Sequence, residues 1–308
     1  MSSRVGPLGF RISAVGPNTI DWSTLDATWA LAGELGLFDA GWVSDHLTDA
    51  GRERGGGVFE SLTTLAALAH RVPGHWLGVA VLSNTFRHPA IVAKAATVLD
   101  NATGGRFILG LGAGWHEGEH EAFGIPLRPM AERFERYEHA VAVLAALFSD
   151  GARRQPGITL DDPFYPLLGA TNEPAPIRRE GPAIWLGGQR RRGIALAAHY
   201  AEGWPMPGNR AGDVAYFTTK RDEIRRALEA ADRDPDDFTF AAQLNAGADA
   251  ASRREALDVS LAFLRAGANH LIIGVPGRLG PGGLGAMARE VAAPVRDTIE
   301  RTRAPLSR

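Results

Sequence analysis

The chain has 308 residues, 45% of them hydrophobic and 22% charged, which is enough apolar material for one large core or two modest ones and rules out a disordered chain. A formal net charge of -2, with the arginines dispersed, offers no basic face to a phosphate backbone, so nucleic acid is not an expected partner. The absence of cysteine excludes disulfides, thiolate nucleophiles and sulfur-ligated zinc; with no signal-like apolar segment and no membrane-length run, a cytoplasmic protein without a membrane partner is expected.

In chain order, an apolar run at residues 5–12 reads as a buried strand, and Leu25, Trp29, Ala32 and Leu35 then share a helical face, with Gly36 as a stop. Strand-like runs follow at 40–44 and 77–82. Pro89 suits the first turn of a helix whose inward stripe would be Ile91, Val92, Ala95, Ala96 and Leu99. After a fourth run at 107–111, Phe134, Tyr137, Val141, Leu144 and Phe148 repeat at spacings of three and four. Residues 149–182 hold six of the 19 prolines, keep weak periodicity and read as an inserted excursion, not a domain boundary. Runs at 183–186, 202–206, 238–245 and 270–275 bring the strands to eight, and Met287, Val291, Val295 and Ile299 mark a last helix. Eight strand–helix units predict an α/β chain forming one (β/α)8 TIM barrel over residues 1–308, with the insertion between strands four and five; such barrels run from about 200 to over 400 residues. A doubly wound open sheet is the competing architecture.

In a barrel, chemistry gathers at the carboxyl ends of the strands. The suggestive residues fall there. Strand two ends in Ser44-Asp45-His46, strand three runs into Ser83-Asn84-Thr85, strand four into Gly112-Ala113-Gly114-Trp115-His116, and strand five into Gly187-Gly188-Gln189. Gly187 and Gly188, followed by Gln189 and a helical run, suit an anion cradle, because glycines admit close backbone approach and a helix start offers free N–H groups. Arg190, Arg191 and Arg192 stand beside it and could assist at an anionic tail or simply face solvent.

The stretches VSDHL (43–47), FESLTTLAALA (59–69), LGVAVLSNTFRHPAIVAKAATVLD (77–100), GGRFILGLGAGWHEGEHEAFGI (104–125), ERFERYEHAVAVL (132–144) and WLGGQRRRGIALAAHYAEGW (185–204), in this order, resemble the luciferase-like monooxygenase family. The resemblance is in particular to the members that use the deazaflavin coenzyme F420. It implies an oxidoreductase passing a hydride between F420 and a small organic substrate, with FMN and a monooxygenase reaction as the alternative, and a homodimer is expected. It implies further that His46, oriented by Asp45, exchanges a proton beside the redox ring. His116, after Gly114 and Trp115 at the mouth of strand four, would face the cofactor or substrate. Val81, Leu82, Ser83 and Asn84 would form a backbone bulge, often with a non-prolyl cis peptide, against the central ring. Gly187, Gly188 and Gln189 would meet the phosphate.

Two readings from other classes compete. His116-Glu117-Gly118-Glu119-His120 fits the His-Glu-x-x-His pattern of zinc metallopeptidases, in which one helix carries both ligands and the base. Gly118 inside the supposed helix and Phe123 and Pro126 at the metzincin continuation argue against it, so no metal is expected and His120 reads as a polar helix-start residue. A barrel that binds a flavin-like ligand without turnover is the second. His70, His139, His199, Trp204, Phe107 and Phe134 read as surface or packing residues, Arg87 and His88 as a helix start, and no Gly-x-Ser-x-Gly elbow supports hydrolysis.

Overall fold

The computed structural model describes residues 5–13, 20–48 and 57–303. In β1 (Leu8–Ser13) the pleat sends Leu8 and Phe10 to the helical layer, where Phe10 meets Trp29 edge-on at 5.0 Å, and turns Gly9 and Arg11 to the other side. The strand starts later than the apolar run at residues 5–12 suggests. Pro7 has no N–H for a ladder, and its carbonyl accepts from the Leu271 N–H. The chain continues through α1 (Trp22–Leu35), β2 (Ala40–Val43), α2 (Ser61–Leu68), β3 (Trp76–Val79), β4 (Leu82–Ser83), α3 (Pro89–Ala102), β5 (Phe107–Gly112), α4 (Glu117–Ala122) and α5 (Met130–Phe148). A short antiparallel hairpin, β6 (Ile158–Leu160) with β7 (Leu167–Ala170), occupies the proline-rich excursion. Then come β8 (Ala183–Leu186), α6 (Arg191–Tyr200), β9 (Gly203–Pro205), α7 (Val214–Glu229), β10 (Thr239–Asn245), α8 (Ala250–Arg265), β11 (His270–Pro276), α9 (Gly280–Met287) and α10 (Ala293–Arg303).

The parallel strands run in the order β3-β2-β1-β11-β10-β9-β8-β5, with β4 beyond β5, and the pairing of β3 with β5 closes the ring. All eight anticipated strands are present and the fold is a closed (β/α)8 barrel. The third strand is split: after Ala80 donates to Val43 O, the Ala80–Val81 peptide is cis, and Leu82–Ser83 rejoins β5 at Leu111 and Gly112. Helix starts follow their side chains. Asp21 caps α1 by accepting from Thr24 N at 2.9 Å, Gly36 ends it at φ 61°, and Pro89 occupies the first turn of α3. One anticipated core position is wrong. Ile91 is 62% exposed, because α3 turns Val92, Ala93, Ala96 and Leu99 inward instead.

The lower half of the barrel is filled by aromatic rings. Trp42 and Trp185 lie 5.0 Å apart on the axis, with Ala40, Ile108, Ala183, Ala241 and Ile272 around them. A Cβ on Gly78 would fall 2.3 Å from the Trp42 ring and one on Gly203 2.6 Å from Trp185, so these two glycines make the room. His270 is fully buried in the same layer. Its Nδ1 lies 2.6 Å from Gly6 O, which only accepts, so Nδ1–H donates; Nε2 accepts from Trp42 Nε1–H at 3.0 Å. Both nitrogens are satisfied in the neutral ring, and a second proton would confront the indole N–H. Burial pushes His270 down to about 4.

The unfolded chain takes up this proton near pH 6.5, before the folded one does. Stability should therefore fall as the pH drops from about 6.5 to about 4, by about 3 kcal/mol from this residue. Urea unfolding at pH 7 and pH 4.5 checks this: His270→Gln, which can keep one donor and one acceptor, should lose that component, whereas equal acid sensitivity in both proteins would contradict it.

Candidate functional site

Above the tryptophan layer, at the carboxyl ends of the strands, lies a cavity of about 870 Å³. Asp45, His46 and His116 line it together. So do Val81, Leu82, Ser83, Gly114 and Trp115 on one side and Gly187, Gly188 and Gln189 beside them. Asn84 does not line it; it is buried, and its N–H donates to Gly112 O at 2.9 Å.

The first departure from the sequence reading concerns Asp45. Its carboxylate does not orient His46. It receives both terminal nitrogens of Arg87 at 2.8 Å, the Ser61 hydroxyl at 2.7 Å and the Ser83 N–H at 2.8 Å. Asp45 is only 4% exposed, and this fork ties the loop after β2 to the start of α2 and to β4. Arg87 also reaches Glu60, the N-cap of α2, so it is a structural clamp and not merely a helix-start residue.

The carboxylate that holds His46 is Glu119. Its Oε2 takes the His46 Nδ1–H at 3.0 Å, and its Oε1 accepts the N–H groups of Leu47 and Thr48 at 2.7 and 2.9 Å. Burial alone would raise the Glu119 carboxyl. The bonds from His46, Thr48 and Leu47 outweigh it and keep the group below its ordinary value, so it is ionised at neutral pH. With Nδ1 engaged, Nε2 is the nitrogen of His46 left for another partner.

Gly118 does not break the local helix. His116 caps α4, its Nδ1 accepting from Glu119 N at 3.1 Å, and Gly118 lies inside the first turn. His120 is not a solvent-facing residue: it is 2% exposed, donates from Nδ1 to His116 O at 2.7 Å, and meets Thr85 Oγ1 through Nε2 at 2.6 Å. Thr85 Oγ1 in turn touches Ser83 Oγ at 2.6 Å. These bonds commit three of the four imidazole nitrogens of the zinc-like motif and use Glu119 as the anchor of His46. Among the described residues, no three His, Asp or Glu side chains gather as a ligand set.

Next to the cis peptide the loop after β5 packs closely on the loop after β4. Gly114 adopts φ 80°, where a Cβ would strike Ser83 Oγ at 2.6 Å and Thr85 Oγ1 at 2.7 Å. Tyr137, fully buried on α5, has its hydroxyl 2.9 Å from Leu111 O and 3.0 Å from Gly187 O, which clamps the ends of β5 and β8 together. Trp204 does more than pack: its indole N–H donates to Gly188 O at 3.0 Å. Helix α6 then begins at Arg191 with no side-chain cap, so its first N–H groups stand free for an anion. Of the three arginines, Arg192 is committed to Glu138 and to the Phe134 ring. Glycine cradle, uncapped helix and cavity size together fit a flavin-like ring with an anionic tail.

Sequence reasoning passed over three residues, Glu119, Arg11 and Gln243, and read Arg87 only as a helix start. Arg11 was visible as a lone cation inside an apolar strand run, and Gln243 as a polar residue in another. Both are buried and line the cavity. Glu119 was hidden by the zinc-like pattern in which it sits.

The sequence profile of the luciferase-like monooxygenase family matches residues 10–302. The phthiodiolone/phenolphthiodiolone dimycocerosates ketoreductase of Mycobacterium tuberculosis strain H37Rv is 34% identical over 187 residues, covering 60% of this chain and 46% of that protein. The FMNH(2)-dependent dimethylsulfone monooxygenase of Pseudomonas putida is 29% identical over 171 residues, 56% of this chain and 41% of the relative. The chain thus spans about half the length of the curated relatives it matches. The coenzyme F420 dependent tetrahydromethanopterin reductase of Methanopyrus kandleri superposes with a TM-score of 0.72 over 95% of this chain and 100% of that one, at 16% identity, a likeness of fold.

The Asp45–Arg87 fork yields a stability prediction. Arg87→Met strands a carboxylate that is 1% exposed and should cost roughly 3 kcal/mol in denaturant unfolding. Glu60→Gln, at a side chain 36% exposed, should cost less than about 1 kcal/mol. A loss in Arg87→Met as small as that in Glu60→Gln would contradict the clamp.

Proposed function

The chain belongs to the luciferase-like monooxygenase family, and from that premise we propose that it passes a hydride between coenzyme F420 and the carbonyl or carbinol carbon of a small organic molecule. The observation that carries the reading is the His46–Glu119 pair at the cavity. Reducing a carbonyl requires a proton at oxygen as well as a hydride at carbon, and an imidazole held by an ionised carboxylate, with its second nitrogen uncommitted, is suited to deliver it. The mycobacterial relative, a ketoreductase by name, supports a carbonyl substrate.

Bound F420 would supply the hydride, and the protein supplies position and the proton. Ala80, Val81 and Gly112–Gly114 would hold the ring, and Gly187, Gly188, Gln189 and the free N–H groups of α6 its phosphate. Glu119 keeps the His46 ring in one tautomer and orientation. His116 stands close by, its ring centroid 6.2 Å from that of His46, and is the second candidate for contact with the reacting atoms. The apolar side chains that line the cavity would help keep water from the exchange once ring and substrate fill it. The same reading carries a single-domain, cytoplasmic homodimer. A second reading, supported by the Pseudomonas putida relative, loads the cavity with reduced FMN for oxygenation of a small molecule.

Absorbance titrations of the purified protein with F420 and with FMN separate the two. F420 should bind more tightly by at least about tenfold; tight binding of FMN without F420 would overturn the F420 assignment. His46→Gln should retain F420 binding and slow its reduction or oxidation with alcohols or ketones by roughly 100-fold or more. Unchanged turnover would remove His46 from the mechanism.

A further inference from the structure

The strand order sets two walls face to face across the cavity. Around the ring, β1, β11 and β10 lie diametrically opposite β8, β5 and the split third strand, which carry the glycine-rich surface and the cis peptide. On the β1–β10–β11 wall, Arg11 is 92% buried, being 8% exposed, and lines the cavity. Its Nη1 donates to Gln243 Oε1 at 2.5 Å, and its Nε has no partner. Gln243 is itself held by a bond from its Nε2 to Met206 O, so the amide oxygen is presented to the guanidinium. Gly274, between the two strands, leaves the space: a Cβ there would stand 2.4 Å from Asn245 Oδ1 and 3.4 Å from Arg11 Nη2.

No carboxylate among the described residues neutralises this cation. The two that line the cavity are Asp45, taken by Arg87, Ser61 and Ser83, and Glu119, taken by His46 and two backbone N–H groups. Burial brings the Arg11 guanidinium down only to about 10, so it is charged at neutral pH. A buried charge without a counter-ion is costly in the fold and is retained where a ligand completes it. The shape of the missing partner follows. Arg11 is the one arginine or lysine lining the cavity among the described residues, which suits a monoanion, and its planar fork suits a carboxylate better than a phosphate dianion with more oxygens to satisfy. The neighbouring surface is apolar at Ile12, Val43 and Met206, with Asn245 as a further polar group.

We propose that the β1–β10–β11 wall is the substrate-recognition wall of this cavity and that Arg11, oriented by Gln243, seats the carboxylate of a substrate with an apolar body. This deepens the oxidoreductase reading and rests on its placement of the cofactor against the opposite wall. The substrate is then an oxo- or hydroxy-acid, bound by its carboxylate at one end with its reacting carbon between Arg11 and the glycine wall.

The probe pair 3-phenylpropionate and 3-phenylpropanamide tests the assignment, because the two share shape and a carbonyl and differ in charge. Calorimetry and melting curves on the full chain, with and without F420, should show the acid bound at least about tenfold more tightly than the amide and raising the melting temperature with dose. In Arg11→Met that preference should vanish, and the variant should melt no lower than the parent, since it sheds an uncompensated buried cation. Equal binding of acid and amide by the parent overturns the proposal whether or not the variant folds. So does a preference that survives in Arg11→Met, which would place the anion at the α6 cradle, or a marked fall in melting temperature, which would mean that the guanidinium already has a counter-ion in the free protein. A charge preference that depends on Arg11 in a protein that binds neither F420 nor FMN would refute the oxidoreductase reading and the oxo- or hydroxy-acid assignment with it, and leave Arg11 standing as a carboxylate seat.

Discussion

The mouth of this barrel depends on one buried carboxylate. Glu119 sits on α4, after the fourth barrel strand, and reaches across to the loop after the second, where it gathers an imidazole and two consecutive backbone N–H groups. A loop after a strand has no ladder to hold it. Here the acceptor capacity of one ionised side chain substitutes for the ladder, and the same three bonds that keep the carboxyl ionised also set the ring of His46. Removing any one donor would weaken the others by letting the carboxyl pKa rise under burial. Chemistry and architecture are therefore coupled at this residue.

The rest of the site follows a division of labour around the ring. Below, Trp42, Trp185 and the neutral His270 close the barrel and form a rigid floor. On one side, β5 and β8 are joined by the Tyr137 hydroxyl and lined by glycines, leaving backbone where side chains would otherwise intrude. Opposite, β1 and β10 present Arg11 and Gln243, with Asn245 as a further polar group beside them. With glycines on one wall, a cation on the other and an imidazole at the rim, the cavity has the arrangement that the proposed pair of facing ligands requires.

How much of this was legible in the residue order depends on the kind of signal. Buried parallel strands announce themselves as short apolar runs, and all eight were readable; the break in the third leaves no mark in the pattern, because Ala80 and Val81 are as apolar as their neighbours, and it was expected at 81–84 only through the family resemblance. Ile91 was misplaced because α3 carries apolar residues on more than one face. The cluster at the strand ends was legible through the barrel rule together with the family resemblance. Its wiring was not. The resemblance implied that Asp45 serves the adjacent His46, yet neighbours on an extended chain point in opposite directions, so Asp45 meets Arg87 and His46 meets Glu119. The spacing of His116 and His120 imitates a metal site, while the helix start between them turns one imidazole into a cap and buries the other.

The central claim is that a flavin-like ring lies against Ala80–Val81 and Gly112–Gly114 with His46 and Arg11 on its open side. A crystal structure of the protein loaded with F420 measures this most directly. The account predicts ring atoms in van der Waals contact with Val81 and Gly112, the phosphate at the start of α6, and His46 still bonded to Glu119. A ring stacked instead on the β1–β10–β11 wall, covering Arg11, would contradict it.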